Sequence, residues 1–193
     1  MRKTLAKMLP LVKKVVRSDM MNLPLDDAVE ANFTAFKSVI NALDGVDVNI
    51  DKAYIVKQIK KETHGKVNLK TGAQLMNGEE ALAYVRTRKA DTDLLRGQRQ
   101  MQVLKAIERK MKTLSAFPKY EKIASILGDN MKMTMSFKDA IGLYPLVSSL
   151  KSVETLQLKG SDYQPGKVYY LKLDEPYLQN LKQKLRNYLG INK

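Results

Sequence analysis

One stripe of side chains constrains this chain more than any other feature. From Asp93 onward, Asp93, Arg96, Gln100, Leu104, Ile107, Met111 and Leu114 recur at the three-and-four spacing of a single helix face. The last four are apolar and read as core. The first three are charged or amide-bearing yet point the same way, and an unpaired Asp buried beside apolar side chains is costly. The stripe therefore predicts a long helix from about Asp93 to Leu114, with its apolar end packed and its polar end lining a pocket. Arg86 and Arg88, just upstream, add positive charge there. Arg99 lies roughly 60° or more off the stripe by helix geometry and flanks the pocket.

The rest of the pattern alternates helices with strands. Residues 9–21 read as a helix and Ala28–Phe33 as a short strand. Phe36, Val39, Ile40 and Leu43 form the buried face of a helix ended by Asp44-Gly45. Val46, Val48 and Ile50 alternate with polar residues, which predicts a strand. Residues 54–63 read as a helix and 64–72 as a polar loop. Asn77, with Glu80 three residues on, marks a helix start over Glu79 to Val85. Further helices are expected at Tyr120–Leu127, after Ser136 with Asp139, and after Asp174 with Pro176 in its first turn. Strands are expected at Met131–Met135, and as a closing pair at Thr155–Leu158 and Val168–Leu173. No linker, repeat or low-complexity run divides the sequence. This order predicts one α/β domain over residues 1–193, a layered α/β/α sandwich with a mixed central sheet.

Composition narrows the function classes. Lys and Arg number 34 against 20 Asp and Glu, a formal charge of +14, which favours anionic partners without choosing among nucleic acid, acidic lipid and acidic polymers. Cysteine is absent, so thiolate chemistry and disulfides are excluded. The one histidine, His64, sits in the polar run KKETHGK and reads as a surface residue rather than part of a catalytic triad. There is no His/Cys cluster for zinc, and GKVNLKTG lacks the Walker A order. In MRKTLAKMLPLVKKVV, lysines interrupt every apolar run, so neither a signal peptide nor a spanning helix is expected there. No helix-turn-helix spacing or basic strip with stacking aromatics supports nucleic-acid binding.

The candidate site is Arg86, Arg88, Asp93, Arg96, Arg99 and Gln100. A guanidinium donates two parallel hydrogen bonds to phosphate and stays charged at neutral pH. Several together suit a diphosphate. Asp93 would orient an arginine, and Gln100 would donate to an oxygen. The competing reading is a solvated basic helix start whose charges pair locally. Residue pattern alone leaves both open.

The same stretch resembles the LytR-CpsA-Psr family, bacterial enzymes that attach anionic glycopolymers to the cell wall. The matching residues are Met76-Asn77-Gly78, then Glu80-Ala81-Leu82-Ala83-Tyr84-Val85-Arg86-Thr87-Arg88, then Asp93, Arg96 and Arg99-Gln100. Leu23-Pro24-Leu25-Asp26, Ala42-Leu43-Asp44-Gly45-Val46-Asp47-Val48 and Glu154-Thr155-Leu156-Gln157-Leu158-Lys159-Gly160 also fit, so the resemblance covers residues 22 to 193. It implies an extracytoplasmic, membrane-associated phosphotransferase. A polyprenyl-pyrophosphate-linked glycan would sit with its pyrophosphate on Arg86, Arg88 and Arg96, supported by Asp93 and Gln100. Its glycopolymer, teichoic acid or capsular polysaccharide in the family, would pass to peptidoglycan with Mg²⁺ assisting. The family's membrane helix, N-terminal strands and metal-binding Asp residues have no counterpart before the matched region. Arg17-Ser18-Asp19-Met20-Met21 echoes a family motif but lacks the stretch that should follow, and reads as coincidence. No catalytic residue or metal ligand is assigned. The alternatives are a non-catalytic module that binds anionic lipid or glycopolymer and, further off, a nucleic-acid-binding regulator.

Overall fold

The computed structural model describes residues 21, 23, 29–90, 92–113, 118–133, 154 and 156–191. They gather into two compact units. The helices expected at 9–21 and after Ser136 lie outside the described residues.

The larger unit runs β1 (Val29–Ala31), α1 (Phe33–Ala42), β2 (Val46–Ile50), α2 (Ala53–Glu62), β3 (Gly72–Met76), α3 (Gly78–Arg86), α4 (Asp93–Met111), α5 (Tyr120–Asn130) and β4 (Met131–Met133). β1 is shorter than the strand expected at Ala28–Phe33, because Asn32 ends it: its Oδ1 accepts from Ala35 N at 2.7 Å and starts α1. The alternation in β2 is borne out, with Val46, Val48 and Ile50 buried and Asp47 and Asn49 exposed. Its partner β3, antiparallel with Val46 opposite Met76, follows directly on the polar loop and carries no clear alternation of its own. Ile40, Ile59, Tyr84 and Val103 close the core around this ladder. His64, at the end of α2, is exposed with φ of 50°.

The smaller unit contains β5 (Gly160–Tyr163), β6 (Tyr170–Leu173) and α6 (Glu175–Tyr188). Asp174 caps α6, accepting from Tyr177 N at 3.0 Å. Leu178, Leu181 and Met21 form its core, with Leu156, Leu158 and Leu173 packed against them. The first strand of the expected closing pair is displaced: Leu156 and Leu158 feed this core, and the ladder begins at Gly160. A Cβ on Gly160 would lie 2.5 Å from Lys172 O, so glycine is what lets the two strands approach there.

The α/β class holds. Where one mixed central sheet was expected, the described strands pair as three two-stranded antiparallel ladders, β1–β4, β2–β3 and β5–β6. The register of α4 also needs correction. Leu104 is 50% exposed, whereas Val103, Ala106 and Arg99 are 0%, 1% and 4% exposed. Ile107 and Met111 sit half-buried at the edge of that face. Small Ala106 and compact Val103 bring α4 against β2 and α3, and Leu104, one step round the helix, is turned outward.

Candidate functional site

The site is built on the two ends of α3. At its start, Asn77 Oδ1 accepts from Glu79 N at 2.9 Å and Glu80 N at 3.0 Å, while a Glu80 carboxylate oxygen accepts from Asn77 N at 2.8 Å. This is a complete capping box. Gly78 N donates to Asn41 Oδ1 at 2.8 Å. A Cβ on Gly78 would lie 2.3 Å from Lys37 O, so only glycine permits α3 to start this close to α1.

At its end, α3 is closed by side chains from α4. The last carbonyls of a helix have no partners within it. Arg99 Nη1 donates to Tyr84 O at 2.8 Å and Nη2 to Thr87 O at 2.7 Å, and Gln100 Nε2 reaches Val85 O at 3.5 Å. Thr87 Oγ1 donates to Ala83 O at 3.0 Å. The Arg99 guanidinium also lies 5.6 Å from the Tyr84 ring. A cation on the negative end of a helix is favourable, and here it is buried.

That closed turn presents Arg86 and Arg88. Arg86 is exposed, with its guanidinium 4.5 Å from the centre of the Phe33 ring, a cation–π contact that holds it over the start of α1. Arg88 is exposed on the segment that follows. Glu62, at the end of α2, pins this segment by accepting from Lys89 N at 3.2 Å. Burial pushes the Glu62 carboxyl up, but hydrogen bonds from Gln58 and from the Lys89 and Arg88 backbone outweigh it and hold its pKa below the ordinary value.

The structure thus sorts the expected site residues. Arg86 and Arg88 stand together on one turn. Arg99, expected as a flanking residue, lies on the buried face of α4 with both terminal nitrogens on α3 carbonyls. Gln100 is exposed beside it, and Arg96 is half-buried one turn earlier and engaged within the protein. Asp93 is the first residue of α4, after Thr92, whose hydroxyl accepts from Leu95 N at 3.4 Å. Sequence reasoning missed Tyr84 and Gln102, which meet through a 2.7 Å hydrogen bond from the Tyr84 hydroxyl. The spacing of Arg99, Val103 and Ala106 is a second helical stripe and was the available signal. Among the described residues no group of three or more His, Cys, Asp or Glu side chains assembles, so they do not by themselves form a divalent-metal cradle.

The LytR_cpsA_psr family profile matches residues 10–187, and the chain belongs to the LytR-CpsA-Psr family. The match starts upstream of residue 22 and takes in Arg17-Ser18-Asp19. A polyisoprenyl-teichoic acid–peptidoglycan teichoic acid transferase, TagT of Bacillus subtilis strain 168, is 56% identical over 173 residues, 90% of this chain and 54% of its own length. The chain spans about half the length of the curated relatives it matches. Among solved structures, TagT bound to LIIa-WTA superposes with a TM-score of 0.82 at 53% identity, covering 93% of this chain and 67% of that one. The family protein YwtF (TagT) with bound octaprenyl pyrophosphate lipid gives a TM-score of 0.76 at 49% identity, covering 93% and 65%.

Proposed function

We propose that this chain holds the pyrophosphate of a polyprenyl-pyrophosphate-linked anionic glycopolymer and takes part in its transfer to peptidoglycan, on the outer side of the membrane. The observation that carries this is the turn at the end of α3, where Arg86 and Arg88 face solvent over carbonyls already neutralised by Arg99. A bare helix C-terminus repels anions. With Arg99 on those carbonyls, the same end can receive a diphosphate. Arg86, held over Phe33, has less freedom to lose on binding. Arg96 and Gln100, on α4 next to this turn, would supply further donors. The polyisoprenyl-linked teichoic acid named for the 56% identical relative and the lipid bound to YwtF support the same ligand class.

Holding and neutralising the diphosphate is the part of phosphoryl transfer that arginines supply. A metal such as Mg²⁺ would add charge stabilisation at the reacting oxygens. The described residues do not form a cradle for it, and no step is routed through it here. The placement outside the cytoplasm rests on the family and on the substrate class; among the described residues no helix is long and apolar enough to cross a membrane.

The test is binding of a polyprenyl pyrophosphate to Arg86→Ala and Arg88→Ala. Each should lose on the order of 1.5–3 kcal/mol, the value of a charge-assisted contact. Exposed Lys112→Ala, which instead ends a 2.6 Å pair with Glu108, should lose almost nothing. Equal losses from all three would mean diffuse attraction. Duplex DNA, whose affinity falls steeply with log salt, is the control for a nucleic-acid reading. The second reading, a binding module without turnover, is favoured by the lack of a carboxylate cluster among the described residues. It expects little phosphate release with or without Mg²⁺. Robust magnesium-dependent release lost in Asp19→Ala would reject it and give Asp19 a metal-binding role.

A further inference from the structure

A strongly basic patch that the pyrophosphate reading does not use lies on α2 and the loop after it. Between residues 57 and 70, Lys57, Lys60, Lys61, Lys66 and Lys70 stand against a single acidic residue, Glu62. At about 100° per residue, Lys57, Lys60 and Lys61 fall within roughly a 100° arc of the helix, opposite Ile55 and Ile59. The two isoleucines are buried in the core and the three lysines are exposed. Past the helix, Val67 and Leu69 enter the same core cluster, which turns Lys66 and Lys70 to solvent. None of the five ammonium groups pairs with an acidic side chain of a described residue. Glu62 does not neutralise them, because its carboxylate accepts from Gln58 Nε2 at 2.8 Å and from Lys89 N at 3.2 Å.

We infer that this lysine face rests on a surface of acidic lipid headgroups. Three observations carry the choice of partner. The first is the kind of charge. An ammonium is a compact point charge without the fork of a guanidinium, so it suits attraction to many headgroups rather than a fixed grip on one. A cluster of roughly four to eight cations on one amphipathic helix is the usual footprint of such attraction. The second is shape. The apolar side of α2 is spent in the core, so the lysine side is convex. A convex face meets a flat surface with several charges at once, whereas a single polyanionic strand is held best in a groove. The same stretch has no Phe, Tyr or Trp on which nucleic-acid bases could stack. The third is position. Glu62, the last residue of α2, bonds the backbone that follows Arg88, so the lysine face begins beside the diphosphate turn. Lys57 lies about 7.5 Å back along the helix axis from Glu62, within the Debye length of about 10 Å at 0.1 M salt.

The phosphates of a lipid diphosphate lie at the bilayer surface, and a turn that receives them works at headgroup depth. The lysine face holds the Arg86 and Arg88 turn at that depth. This last step rests on the function proposed above; the charge and the shape of the face do not. Since no apolar side chain of α2 is left to insert, the attachment is electrostatic and yields to salt.

The experiment is co-sedimentation of the whole chain with three kinds of vesicle: phosphatidylcholine alone, phosphatidylcholine with phosphatidylglycerol at 7:3, and phosphatidylcholine carrying a trace of polyprenyl pyrophosphate. One variant combines Lys57→Gln, Lys60→Gln and Lys61→Gln. A control of equal charge combines Lys159→Gln, Lys167→Gln and Lys172→Gln, exposed lysines of the smaller unit. A circular dichroism melt confirms that each folds. The parent should bind the phosphatidylglycerol vesicles and not phosphatidylcholine alone, and should release them at high salt. The α2 variant should lose about fivefold per lysine, and so on the order of a hundredfold, while the control loses far less. Equal losses from both triple variants, or retained binding in the α2 variant, overturn the inference. So does a chain that ignores phosphatidylglycerol but binds inorganic polyphosphate through the same three lysines, which would make the face a polyanion site. Arg86→Ala separates the two proposals. It should weaken binding to the polyprenyl pyrophosphate vesicles and cost the phosphatidylglycerol vesicles no more than any single cation does. A failed pyrophosphate reading therefore shows on one vesicle and a failed lysine face on the other.

Discussion

The two ends of α3 are both closed, but by different means. The start is closed locally: Asn77 and Glu80, three residues apart, satisfy one another's backbone groups. The end is closed from a distance, by Arg99 and Gln100, which come 12 to 15 residues later and from another helix. A local cap forms whenever the helix forms. The distant one exists only once α4 has docked in a single register. The end that depends on docking is also the one that carries Arg86 and Arg88, so the geometry of the proposed ligand turn is tied to the packing of α4.

The sharpest way to break this contrast is Arg99→Ala. It strands the carbonyls of Tyr84 and Thr87 away from their charged partner, and stability should fall by on the order of 3 kcal/mol in chemical denaturation. Diphosphate binding should fall with it. Arg99→Lys should recover only part of either loss, because an ammonium cannot reproduce the two-pronged contact. If Arg99→Ala melts like the parent, the distant cap is not what holds the turn.

Next in size is the register of α4. Val103 is fully buried, so Val103→Ala should cost about 2 kcal/mol, from lost burial plus a small cavity. Leu104→Ala, at a half-exposed position, should cost about 0.5 kcal/mol or less, as surface substitutions do. The reverse order would restore the stripe through Asp93, Arg96 and Gln100 as the buried face, and would remove Arg99 from the end of α3.

At the local end, Asn77→Ala should cost about 1 kcal/mol, the usual value of a lost N-cap. It should leave diphosphate affinity close to that of the parent once stability is restored by temperature. A large loss of affinity would mean that the two ends of α3 are coupled.

The smallest expected effect lies farther off, at the turn between α1 and β2. There Asp44, at φ of 58°, pairs with Lys119. The hydrogen bond and the charge of Lys119 hold the Asp44 carboxyl below its ordinary value. A depressed folded-state pKa contributes stability that is present above the unfolded value, about 3.9, and is lost as pH falls through the lowered one. Melting temperatures of the parent and Asp44→Asn should therefore differ slightly at neutral pH and converge in acid. High salt should shrink the difference too, because the pair is exposed. Asn tolerates the left-handed turn, so the comparison isolates the charge. A gap that persists in strong acid would assign the effect to the turn instead.

Much of the fold was legible because its signals are short-ranged. Asn77 with Glu80, Asp174 with Pro176, the β2 alternation and the Asp44-Gly45 helix stop each lie within a few residues, and each appears in the structure. β3 escaped because Gly72-Ala-Gln-Leu-Met has no alternation to read; Leu75 is 56% exposed while Met76 is fully buried. Pairing with β2, not propensity, makes it a strand. The α4 stripe misled for a related reason. Two helical stripes run along this helix, and the more apolar one was chosen, whereas contact with α3 and β2 favours the smaller residues Val103 and Ala106. An arginine on the buried face looks wrong in one dimension. In three it is satisfied by the carbonyls of a helix that no sequence window includes.

By itself the sequence determined the described helices, the caps at Asn77 and Asp174, the family, and the adjacency of Arg86 and Arg88, since two residues on one turn stay neighbours in any fold that keeps the turn. Tertiary structure alone decided that Arg99 closes α3, that Phe33 lies under Arg86, and that Asn49, Tyr54 and Gln98 share a cavity. Each of these depends on at least one contact between residues more than ten positions apart. Such contacts depend on which helix face docks, and that is settled by how side-chain volumes fit together rather than by the order of residues along any one element.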